Sequence, residues 1–241
     1  MQKSVLERFI SKYSLGGAAD SVLWKSDGKH VEVTCISDDK NVLAKISTKD
    51  ITIPEGEYGV FNTAQLNSLL GVLEDTVNLN LKVSKGKPMA FALSDTSTKV
   101  DFVLSEPTVI PPAPGLKQLP PFDLEIPVDK KFMDTFVRAK GALPDVETFT
   151  VLCNKSVPQI VIGYSDMNTN RVTIEVEHKE DYPTLQPINF SARFMKEVLT
   201  ANREAKVGTM KISSKGLAHL TFDLSDFTVN YYLVQIQSAS I

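Results

Sequence analysis

The side chains that could carry acid–base, nucleophilic or metal chemistry are few: three histidines, two cysteines and a scatter of carboxylates. His30 and His219 fall in strand-like runs and His178 in a charged loop. None has the H-E-x-x-H spacing that sets two imidazoles on one helix face around a metal. Ser37-Asp38-Asp39-Lys40 fits the S-x-x-K pattern of some acylating enzymes, but four polar residues between two apolar runs read as a turn. Asp166-Met167-Asn168-Thr169-Asn170 opens like a calcium loop, with Glu177 at its twelfth place. Arg171 stands where that loop needs glycine, and 172–177 alternates as a strand. Cys35 and Cys153 lie inside strand-like runs and read as buried free thiols. The sequons at Asn154 and Asn189 mean nothing without secretion, and no phosphate-binding or dinucleotide fingerprint is present. The expectation is a protein that is not an enzyme, with no cofactor and no metal.

Chemistry absent from single residues can still reside in surfaces, and charge is the signal. The chain is net −3, which argues against a general nucleic-acid binder. Its distribution is uneven. The helical windows 3–13, 129–140 and 191–206 each carry two more positive than negative charges, so the rest of the chain carries −9. On a helical wheel, Lys131 and Arg138 lie opposite Phe132, Met133, Phe136 and Val137. Arg193 and Lys196 lie opposite Met195, Val198 and Leu199. In the first helix Arg8 faces outward and Lys12 sits on the flank. One such face is ordinarily a solvated surface. Three in an otherwise acidic chain point to phosphates, if the fold gathers them.

The elements that would gather them are repeated. Shifted by about 129 positions, Phe61, Leu66, Leu69 and Leu70 fall on Phe190, Met195, Val198 and Leu199, and Leu81-Lys82-Val83-Ser84 falls on Met210-Lys211-Ile212-Ser213. Val31, Val33 and Cys35 fall on Ile160, Ile162 and Tyr164. Each half has two helical patterns among many strands. These are 4–13 and 63–74, the latter capped by Asn62, then a helix from Asp129 to about residue 140 and one from Ser191 to about 202. Strand-like runs include 30–36, 42–47, 77–83, 99–104, 159–164, 171–177 and 229–235. The fold class is α+β: two similar domains, 1–104 and 127–241, each with two helices packed on antiparallel sheet. Between them, residues 105–126 hold six prolines, which makes a stiff, extended connector. No apolar run reaches the length needed to span a bilayer, and the charged first residues do not read as a signal peptide.

Three stretches resemble a known family: Ser21-Val22-Leu23-Trp24-Lys25-Ser26-Asp27-Gly28, Phe61-Asn62-Thr63-Ala64-Gln65-Leu66-Asn67-Ser68-Leu69-Leu70-Gly71-Val72-Leu73, and the proline-rich connector leading into 122–136. The chain resembles the sliding clamps of T-even-type bacteriophages, within the PCNA-like DNA clamp superfamily. The likeness is of pattern over essentially the whole length. It implies a closed homotrimer whose helices line a hole holding duplex DNA without sequence preference, in the cytoplasm of an infected bacterial host. It implies that Arg8, Lys12, Lys131, Arg138, Arg193 and Lys196 face DNA. It implies that the strand of Thr98, Val100, Phe102 and Leu104 pairs with that of Val172, Ile174 and Val176 in the next subunit, a contact that Val100→Pro should break. It also implies a pocket for partner peptides among Val109, Ile110, Leu116, Leu119, Tyr231 and Leu233. The partners implied are the replicative DNA polymerase, an ATP-dependent clamp loader and late transcription factors, with no membrane. The rival reading is a ring- or tube-forming component of a phage particle, which would polymerise openly and would not need three basic helix faces.

Overall fold

The computed structural model describes residues 1–115, 118–165, 169–176 and 182–237. Along the chain run α1 (Lys3–Ser14), β1 (Val22–Ser26), β2 (Val31–Ile36), β3 (Val42–Thr48), β4 (Gly56–Val60), α2 (Thr63–Leu70), β5 (Asn78–Ser84), β6 (Lys87–Ser94) and β7 (Lys99–Val103). After a 3-10 turn at Pro107–Val109 come β8 (Leu124–Asp129), α3 (Lys130–Ala142), β9 (Thr148–Asn154), β10 (Val157–Ile162), β11 (Val172–Glu175), β12 (Leu185–Ser191), α4 (Ala192–Ala201), β13 (Val207–Ser213), β14 (Leu217–Phe222) and β15 (Phe227–Val234). The α+β class stands, with antiparallel pairing throughout the hairpins and sheets β5–β6–β7 and β11–β10–β9–β12.

The chain divides into two compact units. One is Met1–Asp38, Ala44–Pro114 and Ser225–Val229; the other is Asp39–Leu43, Gly115–Leu224 and Asn230–Ile241. In the first unit β4, β1, β2 and β3 are neighbours in that order, and β5, β6 and β7 form a second sheet. Its core is aromatic. Phe9 meets Trp24 edge-on with centroids 5.0 Å apart, Trp24 lies 5.3 Å from Phe91, and the Trp24 Nε1–H donates to the Tyr13 hydroxyl at 3.3 Å. In the second unit β11, β10, β9 and β12 form one sheet, while β14 and β13 lead to β8. There Phe136 meets Phe149 edge-on at 5.3 Å, with Phe190 beyond it.

Helix starts follow the residues that read as caps. Asn62 Oδ1 accepts from Gln65 N–H at 2.6 Å, Asp129 Oδ1 from Phe132 N–H at 2.7 Å, and Ser191 Oγ from Phe194 N–H at 3.3 Å. Asp129→Ala should lower stability by about 1 kcal/mol, read as a shift in urea midpoint at unchanged slope. The second helix is shorter than the expected 63–74. It ends at Leu70: the Val72 and Leu73 amides already bond three residues back, to Leu69 and Leu70, and the Glu74 amide goes to the Asp95 carboxylate at 2.8 Å.

The repeat offset also needs correction at one hairpin. Ser26 stands opposite Val31 across a four-residue turn, but Asn154 stands opposite Val157 across only two residues. Superposing the turn centres puts Val31 on Pro158 rather than Ile160. A slip of two positions leaves every side chain on its own face, so alternation alone does not register it.

Candidate nucleic-acid interface

Two helices of the second unit carry exposed basic residues around a shared groove. α3 lies beside α4, and Phe132, Met133, Phe136 and Ala139 on one helix and Phe194, Met195, Val198 and Leu199 on the other are buried. On the solvent side a groove of about 320 Å³ is lined by Met133, Asp134, Val137, Arg138, Leu199, Thr200 and Arg203. Arg138 and Arg203 are both exposed. Arg138 Nε donates to the Asp134 carbonyl at 3.3 Å, which lays the guanidinium along its own helix. Lys130, Lys131 and Arg193 are also exposed, and Lys196 is half-buried. Sequence reasoning singles out neither Arg203, which lines the groove, nor the exposed Lys130. Their signal is present, since both belong to the basic windows, but 203 lies beyond the last helical residue and off the wheel.

The first unit differs. The resemblance implies that Arg8 and Lys12 face DNA; Lys12 does not fit this, while Arg8 keeps 35% of its side chain exposed. Lys12 is fully buried, with Nζ 5.1 Å above the Phe227 ring. Arg8 pairs with Asp226 at 2.7 Å and lies 4.8 Å over the same ring. The cause is the segment Ser225–Val229, which belongs to this unit though it comes from the far end of the sequence. A helical wheel drawn on α1 alone does not see it. The outer residues of α2, Ala64, Asn67, Ser68 and Gly71, are exposed and uncharged.

The two strands expected to pair between subunits are both sheet edges. Within the chain Val100, Phe102, Ile174 and Val176 are buried, and Thr98, Leu104 and Val172 half-buried. What is open is backbone. Leu104 N–H donates to the Met89 carbonyl and Asp95 N–H to the Thr98 carbonyl, so the even residues of β7 bond to β6. Lys99, Asp101 and Val103 therefore aim N–H and C=O outward. By the same alternation, the bond from Val176 N–H to the Pro158 carbonyl turns Thr173 and Glu175 outward on β11. Val100→Pro would thus remove a bond inside β7's own sheet, so it does not test an edge contact.

The residues expected in a peptide pocket differ in exposure. Ile110 is buried, Val109 and Leu119 are exposed, and Leu116 lies outside the described residues. Tyr231 and Leu233 are fully buried on the core side of β15. The opposite face of β14 and β15 carries an aromatic stack instead. The His219 ring lies parallel to Tyr232 with centroids 4.4 Å apart, Phe122 is 6.0 Å away, and His219 Nε2 lies 3.0 Å from Asn230 Oδ1. Burial, with Lys211 nearby, holds the His219 pKa below its ordinary value.

Nothing else assembles into a reactive centre among the described residues. No group of three or more His, Cys, Asp or Glu among them could hold a metal. Cys35 and Cys153 are free and buried, and burial pushes the Cys35 thiol up to about 12, far from a nucleophilic thiolate. Asp27 is held at about 2 by the backbone N–H groups of His30 and Lys29, the signature of a turn. Residues 166–168 and 177–181, which include the start of the calcium-like run and His178, lie outside the described residues. No described helix is long and apolar enough to cross a membrane.

No family model matches this sequence, and no curated protein sequence matches it. Solved structures do. A chain in the structure of the C-terminal region of FEN-1 bound to A. fulgidus PCNA superposes with a TM-score of 0.79, covering 100% of this chain and 98% of that one at 12% identity. Proliferating Cellular Nuclear Antigen from Entamoeba histolytica superposes at 0.75, covering 98% and 96% at 15% identity. This chain has the PCNA fold. The match runs from end to end of both proteins, so both units are part of it. Neither neighbour is a phage protein.

Proposed function

We propose that this chain is the subunit of a sliding clamp, a homotrimeric ring that encircles duplex DNA and tethers a replicative polymerase. The observation that carries the reading is the full-length superposition on the PCNA fold. The basic groove between α3 and α4 supports it. Phosphate contacts there would be sequence-independent and salt-screened, which suits a ring that must hold DNA and still slide. The domains 1–104 and 127–241 joined by 105–126 are the proposed halves. Two sheet edges, β7 and β11, suit head-to-tail strand pairing that closes a ring.

The T-even phage type, with its ATP-dependent clamp loader, late transcription factors and infected-cell setting, rests on the sequence resemblance. The structure of A. fulgidus PCNA includes the C-terminal region of FEN-1, and a partner tail of that kind is proposed for this chain too. The stack of Phe122, His219 and Tyr232 is the favoured docking face.

Light scattering with sedimentation velocity tests the ring. A particle of about three chains that stays on nicked circular DNA and leaves when the circle is cut is the expected result. A monomer at every concentration would sink it, and open-ended polymers would favour the particle component.

A further inference from the structure

Two open strand edges of this chain match each other in backbone pattern, length and charge. β7 has five residues and β11 has four, and each ends its own sheet. On β7 residues 99, 101 and 103 turn N–H and C=O outward, and on β11 residues 173 and 175 do so. The side chains of Lys99, Asp101, Thr173 and Glu175 are exposed.

Backbone parity limits how one edge can meet the other. In an antiparallel pair, outward residues stand opposite outward residues and exchange both bonds. A slip of one position would set outward groups against groups already bonded within a sheet, and would turn the apolar face over. Slips of two remain, so Glu175 can stand opposite Ser97, Lys99, Asp101 or Val103. Opposite Ser97, β11 overhangs the start of β7; opposite Asp101 or Val103, it overhangs the end. Opposite Lys99, all four residues of β11 lie within β7, with Asp101 facing Thr173.

Charge makes the same choice. Among the described residues Lys99 and Glu175 have no ionic partner, whereas Asp101 already pairs with Lys82. Opposite Lys99, Glu175 gains an attraction; opposite Asp101 it meets a like charge, which destabilises a strand pair. The same register sets Val100 opposite Ile174 and Phe102 opposite Val172. The apolar rows of the two sheets then run on across the boundary.

We infer that β7 of one chain pairs antiparallel with β11 of a second copy in this one register, fixed by Lys99 and Glu175 facing each other across the boundary. The inference rests on the head-to-tail ring proposed above, and adds which residue meets which.

Sedimentation velocity at low salt over a dilution series, with single and paired charge reversals, tests it. Lys99→Glu and Glu175→Lys should each weaken assembly about fivefold at every boundary, because a like pair replaces an unlike one. Both sites are exposed, so circular dichroism should not change. The chain carrying both reversals restores the unlike pair and should assemble as the wild type does. The loss in the single variants should shrink as salt rises. Wild-type assembly by Lys99→Glu, or a double variant no better than the weaker single, overturns the register and leaves the ring standing. A wild type that is monomeric at every concentration overturns the ring and this inference with it.

Discussion

Reversing charge at the α3–α4 groove, with Arg138→Glu and Arg203→Glu together, is expected to weaken duplex binding by at least about tenfold at low salt. The dependence of log affinity on log salt should also flatten by about one unit for each phosphate no longer neutralised. Both side chains are exposed, and the Arg138 Nε bond goes to a carbonyl of its own helix rather than to a carboxylate. Unfolding should therefore move by no more than about 0.5 kcal/mol. The comparison that gives the result meaning is Arg8→Glu. Its guanidinium already faces Asp226 at 2.7 Å and the Phe227 ring. Reversal there sets two carboxylates against each other inside the first unit, so it should cost stability and leave the DNA salt slope nearly unchanged. Fluorescence anisotropy on a labelled duplex across a salt series reads both. If the double reversal at the groove leaves affinity and slope intact, DNA lies elsewhere.

Proline at Val103 should reduce the assembled particle to single chains in sedimentation, with circular dichroism unchanged. Val103 is 69% exposed, and its N–H points away from β6. Proline removes that donor without touching the sheet of its own unit. A missing bond costs about 1 kcal/mol net, and the carbonyl stranded opposite costs about 1–3 kcal/mol more. Some 2 kcal/mol at each subunit boundary is about thirtyfold in dissociation constant, repeated around a closed ring. Val100→Pro is the contrast: its N–H serves β6, so it should unfold the β5–β6–β7 sheet and lower the melting temperature. Intact assembly in Val103→Pro would remove β7 from the subunit boundary.

The unequal success of sequence reasoning has physical causes. Caps are local, three residues from donor to acceptor, and Asn62, Asp129 and Ser191 are legible because nothing distant competes for them. Alternation tells which residues of β15 share a face. It does not tell that Tyr231 and Leu233 face the core while Tyr232 stacks on His219. Lys12 fails for the opposite reason. Its wheel position on the flank is right, but Phe227, far along the sequence, lies over it. The edges of β7 and β11 come from resemblance. Which of their backbone groups are open emerges only from hydrogen-bond parity.

The loan of Ser225–Val229 to the first unit has a consequence for how the protein is made. Phe227 stacks on Phe9 at 6.5 Å, Arg8 and Lys12 lie against it, and the Thr48 hydroxyl donates to the Asp226 carbonyl at 2.8 Å. A nascent chain that has emerged only as far as the connector therefore carries an unfinished domain, with Phe9 uncovered and Lys12 without its ring. Synthesis must pass residue 229 before the half that was made first can close. Vectorial, half-by-half maturation is denied to this polypeptide, and the long sequence separation of these contacts favours slow, late closure.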